Sequence, residues 1–249
     1  MSTTHEFALD PKTHARLLAA STATLTTVMF KRGFRNVFMQ NVHPLNPASA
    51  RFVAPAFTLR YIPAREDLDP LNAFEDRAHP QRVAVEECPA GHVLVMDSRG
   101  DAQAASSGNL LVTRLMKRGC AAVITDGGFR DSPEIAALPF PAYHQRASAP
   151  TNLIRHHAVD LQRPIACGGV SVYPGDVLMG DAEGVVVIPR HLADAIAEEA
   201  YRQTMYEDWV NERIVAGDGL FGLYPLLDED KKAAYAAWTQ AQQSRYPHL

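Results

Sequence analysis

Apolar residues recur in two periods along this chain, and the change of period marks its elements. Leu17, Leu18, Leu25 and Val28 fall at helical spacing, so residues 9–33 read as one helix, with Asp10-Pro11 at its start and Gly33 as its stop. Val53 to Ile62 alternates enough for a strand. Its opening, Val53-Ala54-Pro55-Ala56, suggests a sheet edge or the first residues of a strand, because proline cannot donate to a ladder. From Pro80 the texture shifts to short apolar runs bounded by Gly, Pro and Asp: HVLVMD (92–97), AAVITD (121–126) and VLMGDAEGVVVIP (177–189). Between the first two runs, Asn109 to Lys117 followed by Arg118-Gly119 has the basic end and glycine stop of a helix. Strand, helix and strand within about 35 residues make a βαβ unit with parallel strands.

Beyond the third run, residues 189–202 predict a helix opening on proline, and Glu207 to Val215 continues it. Residues 217–225 read as a loop and 228–243 as a polar, alanine-rich helix. A helix this polar either packs against a neighbouring subunit or stands as a solvated tail.

Composition narrows the class. With 47% hydrophobic residues in 249, the chain can bury a core of ordinary size. A formal net charge of -4 supplies no general field for phosphates, so no nucleic-acid partner is expected. Cys88, Cys120 and Cys167 are odd in number and widely spaced, which points to reduced thiols in a cytoplasmic protein rather than a disulfide framework or a zinc site. Cys120, in the apolar run CAAVIT, reads as core. The charged residues of MSTTHEFALDPKTHARLLAAS argue against a secretory leader, and no run approaches the ~20 apolar residues of a membrane span.

The chemistry concentrates in Thr125-Asp126-Gly127-Gly128-Phe129-Arg130-Asp131, at the carboxyl end of a strand, where α/β sheets place their ligand crevices. The two glycines would let the backbone turn sharply and approach a ligand. Arg130 offers a planar fork for a carboxylate, and Asp131 the hard oxygen that Mg²⁺ or Mn²⁺ prefers. Read locally, the same residues equally make a surface Arg–Asp turn that binds nothing. Gly108, in Ser106-Ser107-Gly108-Asn109-Leu110-Leu111, changes the balance: it opens the preceding helix, whose first-turn N–H groups form an anion site on the same sheet edge. The turns at 168–176 and 180–184 read as architecture.

Four segments in this order, AGHVLVMD (90–97), Gly108-Asn109-Leu110-Leu111, RGCAAVITDGGFRD (118–131) and VYPGDVLMGDAEGVVVIP (172–189), resemble the RraA-like family of 4-hydroxy-4-methyl-2-oxoglutarate aldolases and ribonuclease regulators. The resemblance runs from about residue 9 to 217, and the stretch GLFGLYP (219–225) marks a longer subgroup. It implies an α/β fold with a central mixed sheet and flanking helices, of the swivelling β/β/α type. One domain over residues 1–217 would be followed by a helical extension over 218–249, and the subunits would assemble as a homotrimer or homohexamer. It implies a Mg²⁺- or Mn²⁺-dependent carbon–carbon lyase acting on a 2-oxo acid, with oxaloacetate decarboxylation as a related activity.

By the same resemblance, Asp131 holds the metal, largely through water otherwise, and Arg130 contacts bound pyruvate. The backbone of Gly108, Asn109, Leu110 and Leu111 takes the substrate carboxylate. A carboxylate of a neighbouring subunit, Glu207 with Glu212 behind it, completes the metal's surroundings. The family often carries an acidic residue where this chain has Asn109, a departure that puts the standard aldolase substrate in question more than the metal. Two other functions stay open: a dehydratase or decarboxylase of a sugar-derived acid, and a non-catalytic regulator that binds a ribonuclease or helicase.

Of the histidines, adjacent His156 and His157 would point to opposite faces of an extended segment and suit joint metal ligation poorly. His144 and Arg146 either line the cleft or serve an ordinary loop. His14, His43 and His92 read as structural, and Trp209 and Trp238 as packing anchors.

Overall fold

The structure, a computed structural model, describes residues 8–242 and 244–248. The first seven residues of the stretch that argues against a leader, and Gln243 at the end of the expected tail helix, lie outside the described residues.

Helix α1 (Pro11–Ala19) and helix α2 (Thr22–Lys31) replace the single helix expected over 9–33. Asp10 caps the first by accepting from Lys12 N and Thr13 N, both at 3.0 Å. The break falls at Ser21, whose hydroxyl accepts from Thr24 N at 3.0 Å. A serine that can bind nearby backbone donors starts a new helix more readily than it continues an old one. The short β1 (His43–Pro44) precedes the long β2 (Phe52–Pro63), followed by α3 (Pro80–Glu87) and β3 (Val93–Asp97). Next come β4 (Ala105–Ser107), α4 (Asn109–Lys117), β5 (Ala122–Thr125), β6 (Gly128–Phe129) and α5 (Ser132–Ala136). The chain continues through β7 (Ala142–His144), β8 (Arg146–Ala147) and β9 (His156–Leu161). Two hairpins follow, β10 (Ile165–Cys167) with β11 (Val170–Val172) and β12 (Val177–Gly180) with β13 (Val185–Ile188). It closes with α6 (Ala193–Val215) and α7 (Glu229–Ala241).

The main sheet has the order β1-β7-β5-β3-β2-β12-β13, with β9 also on β2. The pairs β2–β3, β3–β5 and β5–β7 are parallel and the others antiparallel, so the sheet is mixed, as expected. The βαβ unit is β3–α4–β5. All residues of β3, β5, β12 and β13 are buried, which explains why they read as continuous apolar runs. Alternate residues serve two cores: Val93 and Val95 face the β10–β11 hairpin, whereas Leu94 and Met96 face α3 and α4. Helices α1, α2 and α6 cover the β12–β13 end through Leu17, Leu25, Val28, Met179 and Ile196.

Strand β2 lies inside the sheet, not at the edge that Pro55 suggested. Ala56 N–H donates to Asp176 O, so the neighbouring Pro55–Val177 pair is a non-hydrogen-bonded position of the ladder. The β3 ladder begins only at Ala56, and no donor is missed.

Helix α7 has no buried residue, yet it rests on its own chain: Tyr235 and Trp238 pack against Tyr206, Trp209 and Tyr246 on α6 and the terminus. Both tryptophans act as anchors, and Trp238 Nε1 donates to Glu212 at 2.8 Å. The three cysteines are free and buried. No helix among the described residues is long and apolar enough to cross a membrane.

Candidate active site

Strands too short to leave a periodic trace bring the two halves of the site together. After β5 the chain runs straight into β6, which pairs in parallel with β4 on one side and β8 on the other. Arg130 N–H donates to Ser107 O at 3.1 Å, tying the residue before Gly108 to the residue before Asp131. Asp131 then turns with φ 54° and opens α5; a left-handed aspartate is uncommon and re-aims the side chain sharply. Its Oδ2 lies 3.3 Å from Asn109 N and 3.6 Å from Arg130 Nε.

Gly108 sits under both. A Cβ there would meet Arg130 Cγ at 2.7 Å and Asp131 Oδ2 at 2.9 Å, so only glycine lets the loop approach this closely. As the N-cap of α4 it has no side chain to satisfy the first-turn amides: Asn109 N–H donates to Asp131 Oδ2 and Leu111 N–H to Gly108 O at 3.1 Å, and among the described residues Leu110 N–H is left for an incoming anion. Arg130, Asp131, Gly108, Leu110 and Leu111 line one cleft of about 220 Å³. The two loops meet here, and Asn109 is not among the residues that line the cleft. Gly127 and Gly128 have another role than expected: they are buried and have no left-handed backbone. A Cβ at Gly127 would meet Ser106 Oγ at 2.6 Å and one at Gly128 would meet Ser148 Cβ at 2.5 Å. They allow the small sheet to pack, and neither lines the cleft.

Ser107, next to Gly108, also lines the cleft, and the other lining residues Phe74, Gln81, Arg82 and Asn152 come from distant segments and carried no local signal. The Ser106 carbonyl gathers them. It accepts from Tyr61 Oη at 3.0 Å, Gln81 Nε2 at 2.7 Å and Asn152 Nδ2 at 3.3 Å, so three elements brace the loop from behind. With both amide nitrogens fixed this way, Gln81 Oε1 and Asn152 Oδ1, along with Ser107 Oγ, are buried without a partner. Below β6, Asp126 accepts from Ser98 N at 2.7 Å and Gly100 N at 3.0 Å and pins the loop after β3. Burial pushes its carboxyl up to about 6 against these bonds.

The other candidates lie elsewhere in the chain. Glu207 accepts from Thr24 Oγ1 and Gln203 Nε2, each at 2.8 Å. Glu212 accepts from Trp238 and, at 2.7 Å, from Arg245, which holds its carboxyl below the usual range. His144 does not line the cleft: it stacks on Phe129 at 5.8 Å, and burial drives its pKa down to about 4. Arg146 is exposed on β8, also outside the cleft. His156 lies against Ala104 O and Arg99, and His157 against Asp69 at 2.8 Å, so the pair does not share a ligand.

A divalent cation can be tested against this donor set. Among the described residues no group of three or more His, Cys, Asp or Glu side chains gathers as a cage. Asp131 brings one carboxylate whose side chain is 41% exposed, with room for water and ligand oxygens around it. That fits a Mg²⁺-type ion, which keeps several waters and takes one or two carboxylates, and does not fit a closed structural site.

Fold and cleft together define a mixed-sheet α/β protein in which an arginine, an aspartate and a helix start meet in a small cleft beyond the parallel strands. The RraA-like family model, described as Aldolase/RraA, matches residues 22–187, and the chain belongs to that family. It is 31% identical over 119 residues to the 4-hydroxy-4-methyl-2-oxoglutarate aldolase of Thermus thermophilus, an alignment covering 48% of this chain and 71% of that one. It superposes on Streptomyces coelicolor RraAS2, described as an unusual member of the RNase ES inhibitor RraA protein family. The TM-score is 0.73 at 26% identity, over 82% of this chain and 98% of the other. A Pseudomonas syringae protein at 20% identity shares the fold with a TM-score of 0.75, over 88% and 99% of the two chains.

Proposed function

We propose that this chain is a divalent-cation-dependent carbon–carbon lyase that cleaves a 2-oxo acid and releases pyruvate or a close relative, with Mg²⁺ or Mn²⁺ as cofactor. The meeting of Arg130, Asp131 and the glycine-capped start of α4 in one cleft carries this reading. Aldolase-named relatives support the reaction class.

Asp131 would hold the cation, which when bound supplies positive charge beside the 2-oxo oxygen as negative charge grows there. The first-turn amides of α4, from Gly108 to Leu111, receive the substrate carboxylate and set its orientation. Arg130, on the same cleft, adds a second positive group and a planar fork. Decarboxylation of oxaloacetate develops negative charge on the same oxygen, so one site serves either cleavage. Asn109 contributes no charge: its N–H donates to Asp131 Oδ2 at 3.3 Å and its Oδ1 accepts from Thr113 Oγ1 at 3.1 Å.

We place the functional unit in a homotrimer or homohexamer, in which a neighbouring copy brings Glu207 towards Asp131. Glu207 would leave two neutral partners to do so, Glu212 a charge-assisted bond to Arg245, so Glu207 moves at lower cost.

The test is pyruvate release from oxaloacetate and a panel of 4-hydroxy-2-oxo acids, with and without Mg²⁺ or Mn²⁺. Cation-dependent release that disappears in Asp131→Ala is the expected result. Release that persists in Asp131→Ala, or silence across the panel, would overturn the proposal, and silence would favour a regulator that uses its outer surface.

A further inference from the structure

Arg82 lies on α3, half-buried, in the wall of the cleft that also holds Arg130 and Asp131. Its guanidinium sits over the ring of Phe74, 4.4 Å from the centroid, and Phe74 meets His79 edge-on at 5.1 Å. That stacking fixes the plane of the fork and leaves its charge unneutralised. Other arginines of the chain have carboxylate partners: Arg114 has Glu86 at 2.7 Å and Arg155 has Asp101 at 2.9 Å. No carboxylate among the described residues pairs with Arg82.

Three acidic groups around it are engaged elsewhere, and neither Glu75 nor Glu87 is within ion-pair distance of its guanidinium among the described residues. Asp69 binds His157 and accepts from Arg65 N, Asp76 accepts from Ala78 N, and Glu86 is held by Arg114. A cation drawn partly out of water with no counter-charge costs free energy, and it is retained where an anion arrives to meet it.

We infer that Arg82 is the residue that receives a second, distal carboxylate of the ligand and so sets how strongly the cleft prefers an anionic far end over an uncharged one. The first carboxylate and the 2-oxo group belong at Asp131, Arg130 and the start of α4, and in that respect the inference rests on the lyase reading. The distal group lies against a different element, α3, with Phe74 as the prop that keeps the fork facing it.

Binding in the presence of Mg²⁺ tests this without turnover. 2-Oxoglutarate and 2-oxopentanoate have the same chain length and differ in one end, a carboxylate against a methyl group. The wild type should bind 2-oxoglutarate at least about tenfold more tightly, the lower range for a charge-assisted contact at a half-buried site. Arg82→Gln should bring that preference close to one while leaving 2-oxopentanoate and pyruvate bound as before. Arg82→Lys, which keeps the charge and loses the fork, should fall between. The inference is overturned if the wild type shows no preference, if Arg82→Gln weakens all three ligands alike, or if the preference survives both substitutions. A preference that depends on Arg82 in a protein that turns over no 2-oxo acid would sink the lyase reading and leave this assignment standing.

Discussion

Gly108→Ala separates the cleft from the fold more cleanly than any other substitution. The glycine has φ -136°, an extended value open to any residue, so the effect is spatial and not one of backbone strain. The new Cβ would stand 2.7 Å from Arg130 Cγ, 2.9 Å from Asp131 Oδ2 and 3.1 Å from Arg130 Cδ. Carbon pairs rest at about 3.5–4.0 Å, so Arg130 must retreat by about 1 Å and Asp131 by somewhat less. Both side chains are nearly half exposed and can yield, which keeps the stability loss to about 1 kcal/mol, the low end for overpacking. The reduced freedom of the unfolded chain offsets part of that. Catalysis is less forgiving, because a shift of about 1 Å in a positioning group costs on the order of 100-fold. The assay is kcat/KM for cation-dependent pyruvate release, with thermal unfolding as the control. A variant within about threefold of wild type in kcat/KM would show that Arg130 and Asp131 do not act where the structure places them.

Two more predictions join those for Asp131 and Arg82. Gly128→Ala places a Cβ 2.5 Å from Ser148 Cβ and 3.2 Å from the Arg146 backbone oxygen at the buried β6 of the three-stranded sheet, so it should cost about 2–3 kcal/mol in denaturant unfolding; a near-neutral result would refute the packing role. His144 titrates near pH 6.5 when unfolded and near 4 in the fold, so its contribution is complete above pH 6.5 and is lost as pH falls towards 4. Between pH 7 and 4.5 the wild type should lose roughly 2 kcal/mol more stability than His144→Gln, and a pH-independent difference would contradict the burial argument.

What could be read from the chain and what could not divide along physical lines. Strands β3, β5, β12 and β13 were legible because their residues are buried on both faces and leave unbroken apolar runs, and α4 between the first two because of its basic end and glycine stop. Arg130, Asp131 and Gly108 were legible because a strand end and a helix start are local features. The sheet that joins them was not, since β4, β6 and β8 have two or three residues each and no period to detect. The glycine pair at 127–128 was assigned to the ligand for the same reason. The division of the first helix rests on one serine hydroxyl that a spacing count cannot weigh. Phe74, Gln81, Arg82 and Asn152 reach the cleft from segments remote in sequence, through contacts that only the tertiary structure makes.

The triple anchoring of the Ser106 carbonyl bears on how a ligand would meet this protein. A loop tethered by a tyrosine, a glutamine and an asparagine has already lost its freedom when the chain folds, so little ordering entropy remains to oppose association. Capture should then resemble docking onto a finished mould, and trimming any one tether should weaken affinity chiefly through entropy although none of the three need touch the ligand.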